Sequence, residues 1–223
     1  MCGRYTLSTP VEKLAGEFDI SGPLPDLPPS YNVAPSQEVA AIVAGGGGER
    51  RLELLRWGLI PAWADDSSIG SRMINARSET AAEKPSFRKA FKERRCLILA
   101  DGFYEWQKTY GGKQPYHLKM RDGRLFAFAG LWESWKGDEE GEIRSCTILT
   151  TDANDLVGEV HHRMPVILPP ETYDLWLDPA VREAEQLLSV LGPYPTEDME
   201  AYPVGRRVNN PSNDEPSCVE SVA

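Results

Sequence analysis

From residue 39 to residue 150 the chain consists of short apolar runs separated by glycine-containing breaks, and that rhythm constrains its fold more than any other feature. Stretches 39–44 and 51–57 are strand-like, and Gly45 to Gly48 between them make a flexible hairpin connection. The continuous apolar run 96–100 is short enough to be a buried strand. Further strands are expected at 115–119, 125–132 and 145–150, where the Gly111-Gly112 and Asp122-Gly123 turns fit an antiparallel meander. The expected helices are few and short. Val11, Leu14, Ala15 and Phe18 mark one face of a helix over 11–18, and Pro85 suits the first turn of a second over 85–92. Two more are expected at 169–177 and 181–191, whereas four prolines make 21–30 an extended surface loop. With no internal repeat or dividing linker, the pattern predicts one compact α+β domain over 1–223 with a polar tail from about 212.

Composition narrows the classes of function. Of 223 residues, 41% are hydrophobic and 26% charged, as in a soluble globular protein. No apolar run reaches the roughly 18 residues of a membrane span, and the N-terminus lacks the regions of a signal peptide, so a cytoplasmic protein is expected. Cys2, Cys96, Cys146 and Cys218 are too scattered for a zinc or redox pair and read as reduced thiols. The net charge of −10 argues against a general coat for nucleic acid. A locally basic surface remains open to the N-terminal part, because the charge is unevenly spread: 18 Lys and Arg stand against 15 Asp and Glu up to residue 125, and 6 against 19 beyond it. The acid gathers at Asp138, Glu139, Glu140 and Glu142, while Lys84, Arg88, Lys89 and Lys92 leave a basic stretch that is either solvated or set against phosphate.

Three segments carry chemistry. Aminopeptidases remove an initiator Met before a residue as small as Cys, so a mature chain would begin at Cys2 with an amine and a thiol on adjacent carbons. Their reference pKa values of roughly 7.7–8.0 and 8.5 put both near their nucleophilic forms at neutral pH. An aldehyde meeting this pair gives an imine and then a thiazolidine. Alternatively, Cys2 merely follows a start codon. Glu105, among Phe103, Tyr104 and Trp106 at the end of the 96–100 run, is either a proton-transfer group raised by desolvation or a structural ion-pair partner. His161 and His162 are adjacent; on a strand at most one would face a given pocket, as a general acid or base or as a structural histidine. No second cluster has metal-ligand spacing, so no metal or cofactor is expected. Trp57 and Trp63 are either core or a stacking surface for unpaired bases.

In order along the chain, Cys2-Gly3-Arg4-Tyr5, Tyr31-Asn32-Val33-Ala34-Pro35, Trp57-Gly58-Leu59-Ile60-Pro61, Asn75-Ala76-Arg77, Ala100 to Trp106, His161-x-Arg163-Met164-Pro165 and Val208-Asn209-Asn210 resemble the motif series of the SOS response-associated peptidase (SRAP) family. The resemblance covers essentially the whole chain and implies a barrel-like, mainly antiparallel β core with peripheral short helices. It also implies a sensor and shield of abasic sites, in which Cys2 cross-links covalently, as a thiazolidine, to the ring-opened aldehyde in single-stranded DNA. Lyase-like activity on the site and peptidase-like removal of Met1 belong to the same expectation. Carried over by residue, Cys2 is the nucleophile, Asn75 holds the amine or a sugar oxygen, Glu105 moves protons and His161 opens the deoxyribose ring. Arg4, Arg77 and Arg163 meet phosphates, Trp106 lies against bases, and Thr150 and Trp63 are weaker assignments. The implied partner is single-stranded DNA with abasic sites, near the replication machinery, with the protein a monomer associated with the nucleoid when bound.

Two other readings stand beside the sensor. One is a thiol peptidase using Cys2, His161 and Glu105, with removal of its own Met1 as the mildest version. The other is a non-covalent single-strand binding module built on Trp63, Trp106 and the arginines.

Overall fold

The computed structural model describes residues 2–137 and 141–222; Met1 and the acidic residues Asp138, Glu139 and Glu140 lie outside them. Thirteen strands carry the fold: β1 (Tyr5–Leu7), β2 (Ser30–Val33), β3 (Glu38–Ala44), β4 (Arg50–Trp57), β5 (Asn75–Arg77), β6 (Arg95–Ala100), β7 (Gly102–Thr109), β8 (Gly112–Met120), β9 (Phe126–Gly137), β10 (Gly141–Asp152), β11 (Arg163–Pro165), β12 (Ile167–Leu168) and β13 (Met199–Pro203). Among the described residues six short α-helices lie outside these strands: α1 (Val11–Glu17), α2 (Ser78–Ala81), α3 (Arg88–Glu93), α4 (Asp155–Gly158), α5 (Tyr173–Leu177) and α6 (Ala184–Leu188).

Strands β3, β4, β10, β9 and β6 pair in that order, and β6 pairs back onto β3, closing a five-stranded barrel. Closure removes the sheet edges. Four of the five seams are antiparallel, as the glycine turns predict; β4 and β10 run parallel. The continuous apolar run of β6 is buried at every position, because one face fills the barrel and the other lies under α3 and α5. At Gly130 on β9 a Cβ would stand 2.7 Å from the Cys96 sulfur, so the barrel lumen admits only hydrogen there. A second sheet, ordered β13-β8-β7-β1-β2, packs beside the barrel.

The expected α+β domain with a barrel-like core is therefore what the chain forms. Several element bounds differ. The 85–92 helix begins only at Arg88, after a turn, and the 181–191 stretch is helical only over Ala184–Leu188. Glu105 lies inside a separate strand, β7, which follows the buried run. His161 and His162 precede β11 in irregular chain, so strand alternation does not separate them, and their rings stack at 4.4 Å. Among the described residues no helix is long and apolar enough to cross a membrane, and all four cysteines are buried free thiols.

Where the second sheet meets the start of the chain, a buried polar relay replaces apolar packing. The Tyr202 hydroxyl lies 2.9 Å from Nδ1 of His117, Nε2 of His117 lies 3.3 Å from Thr6 Oγ1, and that hydroxyl donates to Asp101 at 2.6 Å. The other Asp101 oxygen accepts from the backbone N–H groups of Ser8 and Thr9 at 2.7 and 3.1 Å, tying the exit of β1 to β7. Burial pushes the His117 imidazole from its ordinary 6.5 down to about 4, with Asp101 opposing and Lys119 adding. The neutral ring therefore stabilises the fold fully above pH 6.5, and that contribution is lost as pH falls through 4. The linked free energy is roughly 3 kcal/mol. Urea midpoints measured from pH 7 to pH 4 should fall more steeply for the natural protein than for His117→Gln; parallel curves would show that His117 does not titrate in this way.

Candidate functional site

Chain ends usually fray, having few contacts to hold them. Here Cys2 is fully buried. The carbonyl of Arg4 accepts from the Tyr104 N–H at 3.0 Å, extending the β1–β7 ladder back toward the terminus. Asn75 then grips the Cys2 carbonyl through Nδ2 at 2.7 Å, while its own Oδ1 is buried without a hydrogen bond among the described residues. Asn75 belongs to the barrel sheet and Glu105 to the second sheet, so Cys2 sits where the two meet.

Asn75 is itself placed by Trp57. The indole N–H of Trp57 donates to the Ile74 carbonyl at 2.8 Å, and Leu59 N–H donates to Met73 at 3.1 Å. Gly58 makes this approach sterically feasible, since at its φ of 128° a Cβ would meet the Gly70 carbonyl oxygen at 2.6 Å. Trp57 is thus core, packed on Tyr5 at 5.5 Å, whereas Trp63 is 60% exposed. Downstream, β5 pairs in parallel with β10, which sets Asn75 against Ile148 and Arg77 against Thr150.

The electrostatics of the site follow from burial. Glu105 is 2% exposed, and desolvation pushes its carboxyl above the ordinary range. Burial pushes the Cys2 thiol well up, and the negative charge of Glu105 adds to the effect. Burial thus works against the charged form of both groups. His161 is half-buried, and burial lowers its imidazole, with Lys108 and Lys113 among the charges acting in the same direction. Its Nδ1 lies 3.0 Å from the Arg163 backbone nitrogen and 3.1 Å from the Arg163 carbonyl oxygen. Either tautomer therefore finds a backbone partner at Nδ1, and Nε2 can serve as donor or acceptor.

The arginines differ in availability. Arg4 donates to Asn32 Oδ1 at 2.8 Å and to the Val208 carbonyl at 2.7 Å. Arg163 is 7% exposed and holds Glu79 at 2.6 Å, Asp152 at 2.8 Å and the Thr150 carbonyl at 2.6 Å. Arg77 is exposed. Thr150 is buried, with its hydroxyl 3.4 Å from the Ala76 carbonyl, and Trp106 donates to Asn209 Oδ1 at 2.7 Å. The structure thus brings Cys2, Asn75 and Glu105 together; His161 meets the Arg163 backbone and the His162 ring, and among the described contacts none joins Trp63 to the three. Sequence reasoning assigns no role to Asn32, Asn209, Glu79 or Asp152, the groups that orient Arg4, Trp106 and Arg163. Asn32 and Asn209 stand inside the motifs quoted above, and amides at such positions are the available signal. Among the described residues no group of three His, Cys, Asp or Glu could hold a metal.

Comparison with known proteins places the chain among relatives. The chain is 48% identical over 224 residues to the abasic site processing protein YoqW of Bacillus subtilis (strain 168), covering 99% of this chain and 100% of that one. It is 36% identical over 228 residues to the abasic site processing protein HMCES of Gallus gallus, covering 87% of this chain and 66% of that one. A crystal structure of a protein from Bacteroides thetaiotaomicron superposes with a TM-score of 0.88 at 28% identity, covering 100% of both chains. The family model described as SOS response associated peptidase (SRAP) matches residues 1–211, and the chain belongs to that family.

Proposed function

We propose that this protein captures abasic sites in single-stranded DNA by forming a thiazolidine between Cys2, exposed by loss of Met1, and the ring-opened sugar aldehyde. The observation that carries the reading is the buried chain start, with the Cys2 carbonyl held by Asn75 at 2.7 Å beside the buried carboxyl of Glu105. An incidental cysteine after a start codon needs neither partner.

The chemistry balances within these residues. The Cys2 amine adds to the aldehyde carbon, forming a C–N bond and a carbinolamine. Glu105, its proton affinity raised by burial, gives a proton to the departing hydroxyl, and water leaves a C=N bond. The carboxylate so formed takes the thiol proton, and sulfur adds to the same carbon to close the ring. That second step is intramolecular and gains from proximity. A thiol held neutral by burial suits this amine-first order better than a peptidase that needs a thiolate at rest. Asn75 Oδ1 would accept from the amine or a sugar hydroxyl. His161, able to carry its proton on either nitrogen, would move protons as the closed sugar opens. Arg4 and Arg77 would meet flanking phosphates, Arg163 only by releasing Glu79 or Asp152, and Trp106 and Trp63 would lie against bases. An abasic nucleotide is already unstacked, so turning it toward Cys2 avoids much of the energy a normal nucleotide would need.

The test is mature protein, its N-terminus verified by intact mass, mixed with an oligonucleotide carrying one abasic site and run on a denaturing gel. A band that survives denaturation is expected, and Glu105→Gln should slow its appearance by about 10²–10⁴-fold. Absence of the band with Cys2 verified as terminal and the lesion intact would overturn the proposal.

A further inference from the structure

Beyond Glu105, the β7–β8 hairpin continues into solvent and carries positive charge. Lys108 and Lys113 are directly opposed across the ladder, and both are exposed. Among the described residues neither forms an ion pair, whereas Lys119 on the same β8 strand pairs with Glu200 at 3.3 Å. Like charges placed opposite one another destabilise a ladder, so this pair suits a site that meets an anion. Strand alternation sets Trp106 on the face of Lys108. Beyond them, Tyr110 at the turn is the most exposed large hydrophobic side chain described, at 114%. Arg206 adds a third cation by donating to the Gly111 carbonyl at 3.3 Å. Trp106, Lys113 and Asn209 line a hollow of about 200 Å³ at the inner end of this strip.

In a chain of net charge −10, a polyanion must be held where basic groups stand unopposed. Aromatic side chains interleaved with lysines are the arrangement that stacks bases and tracks a backbone without reading sequence. We propose that the outer face of the β7–β8 hairpin is a non-covalent binding strip for the single strand flanking the lesion, with Lys108 and Lys113 on phosphates and Tyr110 stacked on a base. This rests on the reading of Cys2 as the point of capture. The strip reaches about 13 Å from Trp106 to Tyr110, so only a strand that extends past the lesion can use it.

The test compares two single-stranded probes with one central abasic site, a trinucleotide and a 21-mer, on the natural protein, K108Q/K113Q and Y110S. At pH 8, where the His161 imidazole is neutral with or without the two lysines, and with the 21-mer at subsaturating concentration, cross-linking by K108Q/K113Q should slow about tenfold, and Y110S should slow it several-fold; rates on the trinucleotide should stay within about twofold. On an undamaged 21-mer, the slope of log K against log salt should flatten by roughly 1.4 when two phosphate contacts are lost. K108R/K113R should restore both. Equal slowing on the two probes, or an unchanged salt slope, would overturn the strip. If neither probe cross-links to the natural protein yet the salt slope still flattens, the strip stands and the capture reading fails; if cross-linking proceeds and the slope is unchanged, the strip alone fails.

Discussion

Cys2→Ser protein is expected to form no denaturation-resistant complex with abasic DNA, yet to give one when borohydride is added during the incubation. Serine keeps the terminal amine, so the imine still forms, and reduction traps it as a secondary amine. Without a thiol the imine has no efficient ring-closing partner and hydrolyses. The contrast isolates sulfur chemistry from folding. The substitution replaces a side chain that is fully buried and 3.8 Å from the Arg4 carbonyl, so the smaller hydroxyl can donate there at a cost of about 1–2 kcal/mol. A full-strength band from Cys2→Ser without reductant would show that the thiol does not take part. Cys2→Ala with reductant should behave as the serine protein does, because only the amine is then being read.

The second large effect is on stability. Arg95→Ala should lower the free energy of unfolding by about 3–5 kcal/mol, since several buried carbonyls lose their donors at about 1 kcal/mol or more each. Arg95 is 3% exposed, and among the described residues its guanidinium meets no carboxylate. Its donors go instead to carbonyls: Trp176 at 2.6 Å, Phe91 and Lys92 at 2.8 Å, Val181 at 3.0 Å, and Asp178. These are the C-terminal carbonyls of α3 and α5 and the turn that follows, where the helix dipoles favour a cation. Burial lowers the Arg95 guanidinium to about 10, which leaves it charged at neutral pH. Lysine cannot replace it, because a point charge with three donors does not match a planar fork serving five acceptors. Urea unfolding of Arg95→Ala and Arg95→Lys measures the loss, and a change under about 1 kcal/mol for the alanine protein would refute this account. The cross-linking rate per folded molecule should be unchanged, because Arg95 fastens helices to the outside of the barrel.

The fold is legible wherever hydrophobic period and turn chemistry agree. The 39–44 and 51–57 runs around Gly45 to Gly48 become β3 and β4, joined as an antiparallel hairpin, and the buried run at 96–100 becomes β6. The parallel seam between β4 and β10 is not legible, because no local feature marks which distant strand will pair with an edge. Glu105 stands out in the sequence as a charge among aromatics, but its burial depends on a neighbouring sheet that the local sequence does not contain. The two tryptophans of the 57–63 loop differ for the same reason, with Trp57 locked by the Ile74 carbonyl and Trp63 left outside.

Residue types and local order by themselves determined the α+β class, the short helices and the identity of the groups able to do the chemistry. A cysteine at position 2, a carboxyl among rings and a histidine are chemical facts of the chain. Only the tertiary structure decided that β5 and β7, from different sheets, would bring Asn75 and Glu105 to Cys2, and that Arg163 would face Glu79 and Asp152. The physical reason is that burial and charge coupling, which set proton affinities and ion pairing, are properties of surroundings assembled from residues far apart in the chain.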